Sequence, residues 1–145
     1  MPSKFKIFMA DDDEDDRFLV KSVFDTNWLD CEMVFAADGV ELLEKLDQSE
    51  AKPALILLDL NMPRMDGFST LRNLRANPAF RSIPVIMFTT SSAPEHVIQS
   101  YELGANSFLT KPASYAELSQ LIHQIRIFWL DLARVPANTK VTPTL

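Results

Sequence analysis

A chain of 145 residues fits one domain and is long enough to bury a sizeable core. Its hydrophobic share of 47% excludes a disordered chain, and its net charge of −6 argues against nucleic acid as a partner, since a phosphate-backbone binder needs a basic patch. No apolar run approaches the roughly 20 residues of a membrane span, and the short N-terminal apolar stretch meets six consecutive acids, so neither a transmembrane helix nor a signal peptide is expected.

Short apolar runs alternate with helix-period segments, the pattern of a parallel α/β sheet. The first run is Phe5 to Ala10. A helix then starts within the acids and carries Phe18, Leu19, Val20, Val23, Phe24 and Trp28. A strand around Cys31 to Ala36 follows, and Asp38-Gly39 opens a helix with Val40, Leu42, Leu43 and Leu46 inward. Ala54 to Leu58 is apolar on both faces, as expected of a central strand covered on both sides. The turn NMPRMDG leads to a helix with Phe68, Leu71 and Leu74. Ile83 to Phe88 is the fourth strand, with Pro84 at its start, where proline is tolerated. A helix with Val97, Ile98 and Tyr101 follows, and Gly104 is placed to cap its end. Asn106 to Leu109 is the fifth strand. In the last helix Leu118, Leu121, Ile122, Ile125, Phe128, Trp129 and Leu132 recur at i, i+3, i+4, i+7 spacing over four turns. The residues after Pro136 read as a frayed tail. The expectation is a doubly wound five-stranded parallel sheet with helices on both faces.

The acids fall at strand ends. Asp11 and Asp12 close the first strand and Asp59 the third. In open parallel sheets, ligands bind outside the carboxyl ends of strands, where strand order reverses. If the first and third strands are neighbours, these carboxylates converge, and such a set suits a hard divalent ion such as Mg²⁺. Thr89-Thr90-Ser91 ends the fourth strand with hydroxyls, and Lys111 ends the fifth with a point charge suited to a phosphate.

With these residues in place, the sequence resembles the receiver domain of two-component response regulators (CheY-like) from about Lys4 to Leu132. The matches are Asp11-Asp12, Asp59 in LILLDLNMPRMDG, Thr89 after PVIMF, Phe108 in GANSFLTKP, and Lys111-Pro112. The ending RIFWLDLARVP resembles the stand-alone regulators that serve phytochrome-type sensor kinases. The resemblance implies the flavodoxin-like strand order 2-1-3-4-5 and a receiver domain over residues 4–132, with 133–145 as an extension and tail. It implies that Asp59 is the phosphoacceptor, that Asp12 and Asp59 ligate Mg²⁺ directly, that Asp11 acts mainly through a water, and that the Asn61 carbonyl completes the set. Thr89 and Phe108 would be the switch pair, Lys111 the phosphate contact, and Lys111-Pro112 a cis peptide. Phe108 stands where many relatives have Tyr, and Thr90 where many have a smaller residue.

The implied donor is a phosphohistidine on a sensor histidine kinase. No output domain is expected after residue 132, so the signal would pass by contact with a downstream protein. The lone Cys31 cannot form an internal disulfide, which suits a reducing cytosol, and it reads as a buried strand residue. The chain is not expected to be an enzyme beyond self-phosphorylation and dephosphorylation. An aspartyl-phosphate phosphatase of the haloacid-dehalogenase kind needs an acid two residues past its nucleophile, where this chain has Asn61, and a cap domain. A binding-only pseudo-receiver would lack one of the acids or the lysine.

Plainer readings cover other residues. Asp13 to Asp16 read as a solvated face that favours the first helix through its dipole. Asp66-Gly67 reads as turn and helix-start chemistry. His96 and His123 read as helix residues without a role. Phe128 and Trp129 extend the last helix beyond what one small sheet must cover, so they either cap the core or form a homodimer seam, the seam being favoured because large exposed aromatics usually mark contacts.

Overall fold

The structure, a computed structural model, describes residues 5–136. The strands are β1 (Phe5–Ala10), β2 (Cys31–Ala36), β3 (Leu55–Leu58), β4 (Val85–Thr89) and β5 (Ser107–Thr110). Between and after them lie α1 (Glu14–Asn27), α2 (Gly39–Gln48), α3 (Gly67–Ala76), α4 (Pro94–Glu102) and α5 (Tyr115–Ile125). The strands pair in parallel, as the alternation predicts, in the order β2-β1-β3-β4-β5 that the resemblance implies.

Strand side chains alternate between two faces, and each face has its own core. Phe8, Ala10, Ile56, Leu58, Val85 and Met87 pack with Leu42 and Leu46 of α2 and Leu71 and Leu74 of α3. Ile7, Met9, Leu55, Leu57, Ile86 and Phe88 pack on the other face with Val20, Val23 and Phe24 of α1 and Leu118, Ile122 and Ile125 of α5. Four helices start at capping side chains. Asp13 accepts from the amides of Asp15 and Asp16, Asp38 from Glu41, Asp66 from Ser69, and Ser114 from Glu117. The remaining helix, α4, has Pro94 in its first turn instead. Gly104 follows α4 at φ 102°, a left-handed conformation that glycine adopts without a Cβ clash. Arg75 of α3 donates to the carbonyls of Gly104 and Ile83 and to Asn106 Oδ1, tying the entries of β4 and β5 together.

One expectation about the last helix is corrected. The α-helix stops at Ile125, and residues Arg126–Leu132 wind as a π-helix. The wider turn shifts the inward position from 129 to 130, so Leu130 is buried five residues after Ile125. Trp129 still packs partly against that core, while Phe128 is 55% and Leu132 68% exposed. Arg126 anchors the junction by donating to both Asp30 carboxylate oxygens, at 2.7 and 2.9 Å. Cys31 is buried, as read from the sequence. Residue 4 and the tail from 137 onward lie outside the described residues. Among the described residues no helix is long and apolar enough to cross a membrane.

Candidate phosphoryl and metal site

Strands β1 and β3 run side by side with Ala10 opposite Leu58, so the next residue of each, Asp11 and Asp59, emerges at the same sheet edge. The Asp59 amide donates to the Ala10 carbonyl at 3.0 Å, which fixes this register to its last rung. Asp11, Asp12 and Asp59 each offer a carboxylate oxygen within 4.8 Å of the others. Asp11 and Asp59 are buried and Asp12 is exposed. Buried polar acceptors facing an exposed one suit a hard divalent cation, which takes oxygen ligands from the protein and from water. The residues present therefore fit such an ion.

Asp11 has one oxygen in a hydrogen bond and the other, buried without a hydrogen bond, in an ion pair. Oδ1 accepts from the Asp13 amide at 2.9 Å, and Oδ2 lies 2.6 Å from the Lys111 ammonium. Asp59 Oδ1 accepts from the Leu60 amide at 2.7 Å, and its Oδ2 lies 3.1 Å from Lys111 Nζ. Burial pushes the Asp11 carboxyl up to about 6, against the lowering effect of Lys111 and the Asp13 amide, with the Asp59 charge adding to the rise. Burial works against the Lys111 ammonium as well, but the carboxylates of Asp11, Asp16 and Asp59 hold it above the ordinary lysine range.

Lys111 reaches this position from the end of β5, where its amide donates to the Thr89 carbonyl at 2.7 Å. The expected cis peptide before Pro112 is not found, since no peptide bond among the described residues is cis. Trans is the lower-energy form by about 0.5–1 kcal/mol for a bond preceding proline, and the ammonium meets its carboxylates in that form.

A third carboxylate on Lys111 went unread in the sequence. Asp16 Oδ2 lies 2.7 Å from Lys111 Nζ, so Asp16 leaves the solvated face to which it was assigned with Asp13 to Asp15. Gly67 also does more than open a helix. A Cβ there would lie 2.2 Å from the Asp59 carbonyl oxygen, so α3 can begin this close to the site only on a glycine. Asn61 sits exposed in the same turn, two residues past Asp59. The turn is tied to α2 by Arg64, whose Nε and Nη2 reach the two Asp38 oxygens at 2.8 and 3.1 Å.

Thr89 is fully buried at the end of β4, and its hydroxyl accepts from the Ser91 amide at 3.3 Å. Phe108 pairs with Met87 in register and packs partly buried on the same face of the sheet. Its amide donates to the Tyr101 hydroxyl at 3.2 Å. The two histidines have partners that the sequence did not suggest. His96 Nδ1 is 2.7 Å from Ser91 Oγ, and His123 packs on Trp28 with ring centroids 4.8 Å apart.

Comparison with known proteins decides the family. A model of the response regulator receiver domain matches residues 7–123. The chain belongs to this family. The receiver domain is 37% identical over 136 residues to the response regulator Rcp1 of Synechocystis sp., across 90% of this chain and 92% of Rcp1. It superposes on the crystal structure of the phosphorylated cyanobacterial phytochrome response regulator RcpA with a TM-score of 0.87 at 33% identity, covering 93% of this chain and 100% of that one. The Mn²⁺-bound form of Rcp1 gives a TM-score of 0.82 at 36% identity, covering 92% and 99%. Receiver domains are signalling modules of two-component systems, and their family role is to accept a phosphoryl group on an aspartate.

Proposed function

We propose that Asp59 is the phosphoacceptor of this receiver domain and that Mg²⁺ is the ion its acids hold. The observation that carries the reading is the Asp59 carboxylate itself, which shares one edge with two further acids and an ammonium 3.1 Å away. Asp12 and Asp59 would ligate the ion with the Asn61 carbonyl, while Asp11, with both oxygens engaged, would act mainly through a water. When bound, the ion neutralises charge between the carboxylates and the phosphoryl oxygens.

The donor is a phosphohistidine on a sensor histidine kinase, of the phytochrome type in keeping with RcpA. An Asp59 carboxylate oxygen attacks phosphorus, the new P–O bond forms as the P–N bond breaks, and the histidine nitrogen leaves with its electron pair. Lys111 and the Thr89 hydroxyl hold the remaining phosphoryl oxygens. The chain's own chemistry is limited to taking the group from a donor and losing it to water. Thr89 then turns toward the phosphoryl group, Phe108 fills the space it leaves, and the face of α4, β5 and α5 changes shape. That face, within a receiver unit of residues 4–132, passes the signal to a downstream protein. The buried lone Cys31 fits a cytoplasmic setting.

Intact mass after incubation with Mg²⁺ and a small phosphodonor tests this reading. Wild type gains one phosphoryl group and Asp59→Asn gains none. Equal gain by both would remove Asp59 from the role. The exposed Phe128 and Leu132 favour homodimerisation through the end of the last helix, which sedimentation at high concentration checks.

A further inference from the structure

We infer that Asp16 is a positioning residue for Lys111, keeping its ammonium from competing with the divalent ion for the site's carboxylates. The inference rests on the metal site proposed above and assigns a new member to it.

A lysine ammonium has three N–H donors and no acceptor. Here three carboxylates surround it, with Asp11 Oδ2 at 2.6 Å, Asp16 Oδ2 at 2.7 Å and Asp59 Oδ2 at 3.1 Å. These partners differ in one respect. Asp11 and Asp59 belong, with Asp12, to the set whose oxygens converge within 4.8 Å, and Asp16 does not. A cation seated among the converging acids therefore draws on the same two carboxylates as Lys111, and leaves Asp16 to the lysine alone.

Asp16 is built to stay where it is. It lies in the first turn of α1, and its amide donates to the N-cap carboxylate of Asp13 at 3.3 Å. Its side chain approaches Lys111 from the solvent side, 31% exposed where the lysine side chain is 9% exposed. With Asp16 present, the ammonium would keep a charged partner when the ion draws on Asp59 directly and on Asp11 through a water, and its other N–H groups would be left for the phosphoryl oxygens. Without Asp16, the lysine falls back on the carboxylates the ion needs. A buried ammonium does not give up such partners cheaply.

The bland alternative is that Asp16 only serves the dipole of α1, as Glu14 and Asp15 do. A double-mutant cycle separates the two, read as Mg²⁺ affinity by calorimetry on the full chain. Asp16→Asn should weaken Mg²⁺ binding about fivefold when Lys111 is present, the scale of a partly exposed ion pair. In a Lys111→Ala background the same change should cost less than about twofold, because only the direct field of one exposed charge remains. Asp16→Glu should restore most of the affinity. Lys111→Gln replaces the alanine variant if that one does not fold. Equal losses in the two backgrounds, or no loss in either, overturn the inference while leaving the proposed function intact. A wild type that binds no Mg²⁺ overturns both.

Discussion

Lys111 Nζ and Asp11 Oδ2 lie 2.6 Å apart, and both side chains are almost wholly withdrawn from water. An ion pair at that depth gains little net stability, because desolvation of both charges offsets their attraction. Breaking one side of it is another matter, since the survivor is then buried without compensation. Among the described residues Lys111 is the cation that pairs with the Asp11, Asp16 and Asp59 carboxylates, so the two signs respond unequally to mutation.

Lys111→Ala should destabilise the protein without Mg²⁺ by about 3 kcal/mol, the usual cost of orphaning a buried partner. Asp59→Asn removes one of the repelling charges and should leave the metal-free protein as stable as wild type, or more so. Urea unfolding in the presence of chelator measures both. A clear loss of stability in Asp59→Asn would contradict the picture of mutual repulsion.

Acid should stabilise the metal-free protein in one window. The Asp11 carboxyl is raised from 3.8 to about 6 in the folded state, so folding favours its protonated form. The stability it contributes is complete below pH 3.8 and is lost as the pH rises through about 6. The loss is about 3 kcal/mol at the usual worth of a pKa unit, and Lys111, held above its ordinary range, stays charged throughout and does not shape this window. Saturating Mg²⁺ should reverse the trend, because the ion binds the ionised carboxylates and only in the native state. Denaturant midpoints on either side of pH 6, with and without Mg²⁺, check the crossing.

Gly67→Ala should destabilise by about 3 kcal/mol or more, since the added methyl meets the backbone of Asp59 and Leu60, which cannot turn aside as a side chain would. The displaced turn carries Asn61, so Mg²⁺ affinity should fall with stability. Calorimetry and thermal melting read the two effects on one sample.

Thr89→Ala should still accept a phosphoryl group on Asp59 and fail to transmit it. Hydrogen exchange along Pro94–Glu102 and Ser107–Thr110 before and after phosphorylation is the measurement. A complete change of that face in the variant would remove the Thr89 hydroxyl from the switch.

The sheet and the edge where its acids converge were legible because parallel strands buried on both faces write continuous apolar runs, and those acids stand directly at their ends. Asp59 after LILL and Asp11 after FKIFMA needed only the strand order to be brought together. Asp16 was hidden for the opposite reason. It lies in a run of acids whose simplest reading is a wet surface, and its partner is 95 residues away. The close approach behind Gly67 was hidden too, because a glycine that starts a helix and one that yields space to a neighbouring backbone look alike in a sequence. The end of the last helix misled because the spacing of Phe128, Trp129 and Leu132 suits an α-helix, while Arg126 and its hold on Asp30 stand at the change of winding.

That change of winding acts as a one-residue phase slip. It turns Phe128 and Leu132 outward without altering a single apolar letter, so the aromatic display at this end of the molecule is set by helical pitch and not by composition. Removing one residue between Ile125 and Leu130 would place Leu130 four residues after Ile125, so that an ordinary α-helix would keep it in the core. A surface that depends on pitch in this way can be gained or lost by a single codon while every neighbouring side chain keeps its identity.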